Sequence, residues 1–134
     1  MTIREYTEFD LREIMALYSS AGWVNYTRNP QVLVSAFKNS LLVLGAFDDD
    51  ERLVGIIRVV GDGASIVFVQ DLLVLPEYRR RGIGSRLLDR VVRHYSEVYQ
   101  MELLSDDTPE ANAFYKANGF MKVGDAGLSA FVKK

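Results

Sequence analysis

The sequence predicts an α/β fold of the α+β kind, in which a mixed β-sheet of about six to seven strands is flanked by about four helices. Short apolar segments with β-type alternation are interleaved with segments whose apolar residues recur every three to four positions. Strand–helix–strand segments require a parallel crossover, whereas strands joined by short polar turns are antiparallel, so the sheet is mixed. A length of 134 residues suits one core, and we expect a single domain over residues 1–134.

The N-terminal half predicts a strand, two helices and then three strands. Thr2–Tyr6 alternates as a short strand does, and Thr7 is the expected N-cap of the first helix. Asn29–Pro30 combines an N-cap with proline at the first helical position, which starts a second helix. Two apolar runs flank the acidic turn Asp48–Glu51 and form a hairpin, and a third strand follows the turn Gly61–Gly63.

The C-terminal half predicts a crossover helix, a strand, another helix and two final strands. Apolar residues with helical spacing run from Ile83 to Tyr95, and Met101–Leu104 is a short strand. Thr108–Pro109 caps a helix that ends before a glycine. Phe120–Val123 and Leu128–Val132 are the last two predicted strands.

The composition excludes several classes of function. The chain has no cysteine and a single histidine, which excludes disulfides, thiolate metal sites, a cysteine nucleophile and a histidine-rich metal site. Its net charge of −2 lacks the basic excess of nucleic-acid binders. The N-terminus has no basic region followed by an apolar run, and no apolar stretch reaches membrane-spanning length. We therefore expect a cytoplasmic protein that uses no metal, nucleic acid or membrane.

The most informative motif lies where a strand ends at Pro76 and a helix begins after two glycines. Gly82 and Gly84 allow the backbone to approach a ligand closely. The helix N-terminus presents unpaired N–H groups and the positive end of its dipole, and the run Arg79–Arg81 adds bidentate cationic donors. These features predict a pyrophosphate-binding loop. The alternative, a glycine turn with solvated arginines, leaves the coincidence of strand, turn, cations and helix unexplained.

Two other phosphate-binding motifs fit less well. A P-loop requires Lys followed by Ser or Thr after its second glycine, whereas Ser85–Arg86 follows here. A dinucleotide fingerprint requires a third glycine at the position of Leu87, although Glu102 lies at a suitable distance for the ribose-binding acid. The chain is also too short for two mononucleotide-binding halves.

The loop resembles motif A of the GNAT superfamily of N-acetyltransferases, Q/R-x-x-G-x-G/A, with Arg79, Gly82 and Gly84 at the defined positions. The segment Ala111–Phe120 resembles the family's motif B, A-x-x-x-Y-x-x-x-G-F. The order of strands and helices also agrees, so the resemblance covers nearly the whole chain. It implies a GNAT-like sheet that is splayed at its centre and acetyl-CoA as the acyl donor.

The resemblance also implies roles for individual residues. Tyr115 matches the family's tyrosine that acts as general acid towards the departing thiolate. The alternative interpretation is that Tyr115 is only an aromatic residue of the core. Many relatives carry asparagine where this chain has Thr108, so one coenzyme contact is lost or shifts to Asn112. Free backbone groups near Leu73 and Val74 would hold the pantetheine. The expected cofactor-binding residues are Leu73, Val74, Arg79, Arg80, Arg81, Gly82, Ile83, Gly84, Ser85 and Asn112.

The general base and the acceptor pocket are less constrained by motifs. Asp71 is a polar residue inside an apolar strand that leads into the loop, which makes it a candidate general base. The equal alternative is that Asp71 has only a structural role. Trp23 and Tyr26, between the first two helices, are candidates for an acceptor pocket or for the core. A looser similarity to plant-plastid-type serotonin acetyltransferases and their bacterial relatives, in Ala21–Trp23 and Gly61–Ala64 among other segments, implies an arylalkylamine or another small primary amine.

The sequence therefore predicts an N-acetyltransferase that moves the acetyl group of acetyl-CoA to the primary amine of a small molecule, by direct attack in a ternary complex. Two alternatives stay open. One is a protein or peptide N-acetyltransferase, and the other is a non-catalytic acyl-CoA-binding module. A homodimer is also compatible with the sequence.

Overall fold

The computed structural model describes all residues from Met1 to Lys134 and divides into two compact units, Met1–Leu104 and Ser105–Lys134. The first unit contains a sheet with the strand order β1-β2-β3-β4-β5. Its strands are β1 (Thr2–Glu5), β2 (Leu42–Phe47), β3 (Leu53–Gly61), β4 (Ile66–Val74) and β5 (Gln100–Leu103). Its helices are α1 (Leu11–Ser20), α2 (Val24–Arg28), α3 (Pro30–Lys38) and α4 (Ile83–His94). The second unit contains α5 (Pro109–Ala117). The expectation of a single domain stays a prediction.

The sheet is mixed, as the sequence predicts. The strands β1 to β4 are antiparallel neighbours, and β5 lies parallel to β4 because the helix α4 carries the chain back across the sheet. Every residue of β3 from Leu53 to Val59 is buried, because helices cover both faces of this strand. None of the helices is long and apolar enough to cross a membrane.

A glycine lets α4 pack closely on one face of β3. A Cβ at Gly55 would lie 3.3 Å from side-chain atoms of Ile83 and Leu87 in α4. Arg58 lies three residues further along the same strand and therefore points to the opposite face. The helix α1 lies on that face, where its Tyr18 is buried.

A β-bulge in β4 coincides with the point where β4 and β5 separate. Val69 and Asp71 pair with successive residues of β3, so Gln70 between them has no partner there. The parallel ladder with β5 ends at Val69 and Leu103. Bulges bend a strand and increase its twist, and they often end strand pairing. The segment Asp71–Val74 therefore pairs with β3 on one side and has no ladder partner on the other, so the sheet is splayed between β4 and β5.

The two last predicted strands, Phe120–Val123 and Leu128–Val132, do not form. A 3₁₀ turn, Val123–Ala126, follows α5, and no C-terminal residue joins the sheet. The sheet thus has five strands rather than six to seven. There are five α-helices rather than four, because Val24–Arg28 forms a short helix of its own. Alternating apolar residues specify the faces of a strand, but a strand also needs a neighbouring backbone for its N–H and C=O groups.

Helix caps agree with the prediction at two of three positions. Asn29 and Pro30 lie at the start of α3 as predicted, although the Asn29 side chain makes no capping hydrogen bond, and the Thr108 hydroxyl accepts a hydrogen bond from the Ala111 N–H at the start of α5. Thr7 is not the N-cap of α1. Asp10 takes this role, and its carboxylate accepts hydrogen bonds from the N–H groups of the first turn. A capping side chain lies two to three residues before the N–H groups that it accepts. Thr7 is too far from Arg12 and Glu13 along the chain, whereas Asp10 is at the right distance.

Candidate active site

The loop between β4 and α4 forms a helix N-terminus that no side chain caps. After β4, Pro76–Tyr78 makes a 3₁₀ turn, and Gly82 is the N-cap residue of α4 with a left-handed φ of 78°. No atom of a residue packed against the loop lies within 4 Å of the position that a Cβ would take at Gly82. The backbone at the start of the helix is therefore accessible, and helix N-termini of this kind bind anions.

Three consecutive exposed arginines precede this helix, and we call Arg79–Gly84 the arginine loop. Arg79 donates from Nε to the carbonyl oxygen of Val74, at 3.2 Å. Arg80 has a left-handed backbone with φ 63°. The Arg81 guanidinium lies 5.0 Å from the centre of the Tyr78 ring. The loop therefore concentrates positive charge in a chain whose net charge is −2, and this charge attracts an anion.

The remaining residues of the predicted coenzyme site follow the strand and the first helical turn. Leu73 and Val74 lie on the part of β4 that has no ladder partner towards β5. Ile83 is buried, whereas Gly84 and Ser85 are half-buried in the first turn of α4. The donors gathered here are cationic or backbone groups, which suit an anion. Nowhere in the chain do three or more His, Asp or Glu side chains form a group that could hold a metal ion.

A buried cluster of side chains joins β3, β4 and α1. Arg58 donates from Nε to Asp71 Oδ2 at 2.7 Å, and the Tyr18 hydroxyl donates to the same oxygen at 2.6 Å. The side chains of Arg58 and Asp71 are only 5% and 1% exposed. Arg58 also donates from Nη1 to the Ser40 hydroxyl at 3.2 Å. The second carboxylate oxygen, Asp71 Oδ1, is buried and has no hydrogen-bond partner.

The protonation states within this cluster follow from its contacts. Burial raises the pKa of Tyr18, and the neighbouring Asp71 carboxylate raises it further, so the hydroxyl stays protonated and donates. Burial by itself would lower the pKa of Arg58, but the Asp71 carboxylate and the Tyr18 hydroxyl together outweigh it, and the net change in the pKa is upward. With a positive guanidinium, a negative carboxylate and a neutral hydroxyl, the cluster carries no net charge.

The two candidate acceptor residues lie next to this cluster. The rings of Trp23 and Tyr26 contact the Tyr18 ring edge-on, with centroids 5.8 Å and 5.2 Å away. The Tyr26 hydroxyl accepts a hydrogen bond from Gln70 Nε2 at 3.4 Å. Trp23 and Tyr26 are both half-buried. The structure therefore brings both predicted acceptor residues against Tyr18, the partner of Asp71, and Tyr26 also contacts the bulge residue Gln70.

The other predicted catalytic residue, Tyr115, belongs to the second unit. Its ring lies edge-on to Phe114 and Phe120, at 5.0 Å and 6.2 Å between centroids. Burial raises the pKa of the Tyr115 hydroxyl, which is therefore protonated at neutral pH. Asn112 donates from Nδ2 to the Asp107 carboxylate at 3.0 Å, so this amide is oriented within its own unit.

Sequence reasoning missed Arg58 and Tyr18 as neighbours of Asp71. A signal for Arg58 exists, because it is the single charged residue in the apolar strand β3. Buried charges are nearly always paired, so an arginine in one apolar strand and an aspartate in the next indicate an ion pair. Tyr18 gives no such signal, since its position on α1 is also that of an ordinary core residue.

Comparison with known proteins gives one family. A family model described as an acetyltransferase (GNAT) domain matches residues 39–122. Among solved structures, a GNAT-family acetyltransferase from Streptococcus pneumoniae TIGR4 is 37% identical, with a TM-score of 0.90 over 99% of this chain and 96% of that one.

Two further relatives are longer than this chain. An uncharacterized N-acetyltransferase, ycf52-like, from Prochlorococcus marinus is 31% identical over 117 residues, which are 83% of this chain and 62% of that protein. A protein named histone acetyltransferase TAP1 from Glycine max is 27% identical over 126 residues, which are 84% of this chain and 52% of that protein. The chain thus spans less than two thirds of the length of both proteins.

We predict that Arg58→Met lowers the free energy of unfolding by about 3–5 kcal/mol, because it leaves the Asp71 carboxylate buried without a counter-ion. The double variant Arg58→Met/Asp71→Leu should recover most of this loss, since it leaves no buried charge. Tyr18→Phe removes one hydrogen bond to a charged oxygen and should cost about 1.5–3 kcal/mol. Urea unfolding followed by circular dichroism measures all three. A double variant no more stable than Arg58→Met would contradict the ion-pair interpretation.

Proposed function

The chain belongs to the GNAT family of acetyltransferases, and we propose that it transfers the acetyl group of acetyl-CoA to the primary amine of a small molecule. The arginine loop carries this proposal. Gly82 leaves the N-terminus of α4 without a side-chain cap, and three exposed arginines precede it. The pyrophosphate of coenzyme A matches these donors in charge and in hydrogen bonding. We assign the pyrophosphate to Arg79–Gly84 together with Ser85.

The open edge of β4 supports a second part of the coenzyme site. Leu73 and Val74 have a strand on one side only. An extended pantetheine arm can hydrogen-bond to such an edge in the way that an added strand does. Arg79 contacts the carbonyl of Val74 and keeps the arginine loop next to this edge. Backbone N–H groups here would also stabilise negative charge on the acetyl oxygen during the reaction.

The protein has two tasks in the reaction. It must remove a proton from the acceptor ammonium so that a neutral amine can attack, and it must donate a proton to the leaving thiolate. Acetyl-CoA supplies an activated thioester, so a neutral amine can attack it directly without a nucleophilic residue. We propose Tyr115 as the proton donor to the departing sulfur, on its position in motif B. Its raised pKa keeps the hydroxyl protonated at neutral pH, as a general acid requires.

We propose Asp71 as the group that receives the proton from the acceptor ammonium. Arg58 and Tyr18 both donate to Oδ2, and this holds the carboxylate in one orientation. Oδ1 has no donor in the structure and is the oxygen that remains for a proton. In the alternative, Asp71 only ties β3, β4 and α1 together, and the amine loses its proton to water.

The acceptor is proposed to lie beside α2. Trp23 and Tyr26 are half-buried next to Tyr18, the partner of Asp71, where their rings are available to a substrate ring or to an ammonium group. This favours small primary amines, including arylalkylamines. A protein amine is the second candidate, since one relative is named a histone acetyltransferase. A cytoplasmic location stays a prediction.

We predict that Gly82→Val weakens acetyl-CoA binding at least about tenfold while the protein stays folded. A β-branched residue disfavours the left-handed backbone of this position, so the loop changes conformation, whereas no atom of a residue packed against the loop lies within 4 Å of the new Cβ. Gly127→Val is the matched control, with φ 77° and equally open surroundings, and should bind as the wild type does. Isothermal titration with acetyl-CoA measures both. Wild-type affinity in folded Gly82→Val would refute the loop assignment.

We predict that Tyr115→Phe lowers kcat about a hundredfold with little change in the Kd for acetyl-CoA, because it removes only the proton donor. The pKa of the hydroxyl is raised, so the wild-type rate should hold through neutral pH and fall only above about pH 10, as the acid form is lost. The variant should lack this alkaline decline. Free-thiol release under conditions limited by chemistry gives both results, and an unchanged kcat would remove Tyr115 from the mechanism.

The acceptor is tested by comparing kcat/KM for tryptamine or serotonin with that for spermidine, glucosamine phosphate and a short peptide. We predict that kcat/KM is higher for the small amines than for the peptide. Trp23→Ala should lower kcat/KM for the aromatic amines by about three- to tenfold and leave kcat/KM for spermidine unchanged. A preference for the peptide would favour a protein acceptor. Aromatic amines as the poorest substrates would exclude an aromatic acceptor. Binding of acetyl-CoA with no turnover of any amine would indicate a non-catalytic module.

A further inference from the structure

We infer that Tyr78 and Asp48 form a tether that positions the arginine loop, so that Tyr78 is a positioning residue for the cosubstrate. The inference rests on the proposed function. The Tyr78 hydroxyl donates to Asp48 Oδ2 at 2.8 Å. Tyr78 ends the 3₁₀ turn directly before the loop, and Asp48 follows β2. The tether therefore connects the loop to the β2–β3 hairpin.

The hairpin end of the tether is held in place by its own backbone. Asp48 Oδ1 accepts the N–H groups of Asp50 and Arg52, both at 2.9 Å. The Asp48 N–H donates to the carbonyl oxygen of Arg52 at 3.0 Å, which closes the turn. The Arg52 N–H contributes most to lowering the pKa of the Asp48 carboxyl, and the Tyr78 hydroxyl adds to the effect. The turn thus presents an ionised and oriented acceptor.

The loop end of the tether supports an arginine. The ring of Tyr78 lies under the Arg81 guanidinium, at 5.0 Å from its centre. The hydrogen bond to Asp48 raises the pKa of the Tyr78 hydroxyl, which remains a donor over the physiological range. Between these residues, Arg80 has a left-handed backbone. A non-glycine residue keeps such a conformation only where its surroundings determine it, and Arg80 lies between Tyr78 and Arg81, whose side chains contact each other.

The tether should act on affinity and leave the chemical step unchanged. A loop that is already ordered loses less conformational entropy when a ligand binds, so releasing it weakens binding. Neither Tyr115 nor Asp71, the proposed proton donor and acceptor, is part of the tether. The Kd for acetyl-CoA and kcat should therefore respond differently to its removal.

The test compares variants that remove successive parts of the tether. Tyr78→Phe keeps the ring under Arg81 but loses the hydroxyl, and should raise the Kd for acetyl-CoA about three- to tenfold with kcat unchanged. Tyr78→Leu also loses the ring and should raise Kd further. Tyr99→Phe is the matched control, because Tyr99 is 87% exposed and lies outside the loop, and it should bind as the wild type does.

A double-mutant cycle isolates the contact itself. Asp48→Asn keeps Oδ1 for the turn but replaces the oxygen that accepts from Tyr78. In this background Tyr78→Phe should raise Kd by a smaller factor than it does in the wild type. Equal factors in both backgrounds, or a Kd of Tyr78→Phe equal to that of Tyr99→Phe, would overturn the tether. A wild type that fails to bind acetyl-CoA would instead overturn the proposed function, and the tether with it.

Discussion

The rest of the structure depends on the buried ion pair between Arg58 and Asp71, which Tyr18 completes. Removing two charges from water costs several kcal/mol for each ion unless the charges are paired. The pair therefore holds β3 and β4 in one register and keeps α1 over them. The bulge at Gln70 lies directly beside the pair, and the ladder to β5 ends there. The cluster thus lies where the sheet opens, and the open edge is where we place the coenzyme.

The site combines two different electrostatic environments at the two ends of a short stretch of β4. At its C-terminal end, the arginine loop presents positive charge and a helix N-terminus to an anion. The ladder with β5 ends at Val69, and β4 itself ends at Val74. There Arg79 donates to the Val74 carbonyl and holds the loop against the open edge of β4. At the other end, Asp71 lies in a cluster of zero net charge with Arg58 and Tyr18, and the rings of Trp23 and Tyr26 contact Tyr18. Such a division suits an anionic cosubstrate and an amine that bind at different positions along the strand.

Local sequence was sufficient for the arginine loop and for most of the secondary structure. A glycine at φ 78° and a proline at the end of a strand act on the neighbouring backbone, so their positions in the sequence determine the local conformation. The same local reasoning failed at Phe120–Val123 and Leu128–Val132, where the alternation is that of strands but no ladder forms. It also failed at Thr7, where Asp10 lies closer to the N–H groups that need a cap.

The sequence by itself determined the class of fold, the position of the arginine loop at the start of a helix and the resemblance that identifies the family, because these depend on residues that are neighbours along the chain. Only the tertiary structure decided which side chains meet across elements. Tyr18 and Asp71 are separated by 53 positions, and Asp48 and Tyr78 by 30. Such contacts depend on strand register and helix packing, which are set by the summed burial of many residues. No short motif encodes that sum, so the partners of Asp71 and Tyr78 became visible only in the folded chain.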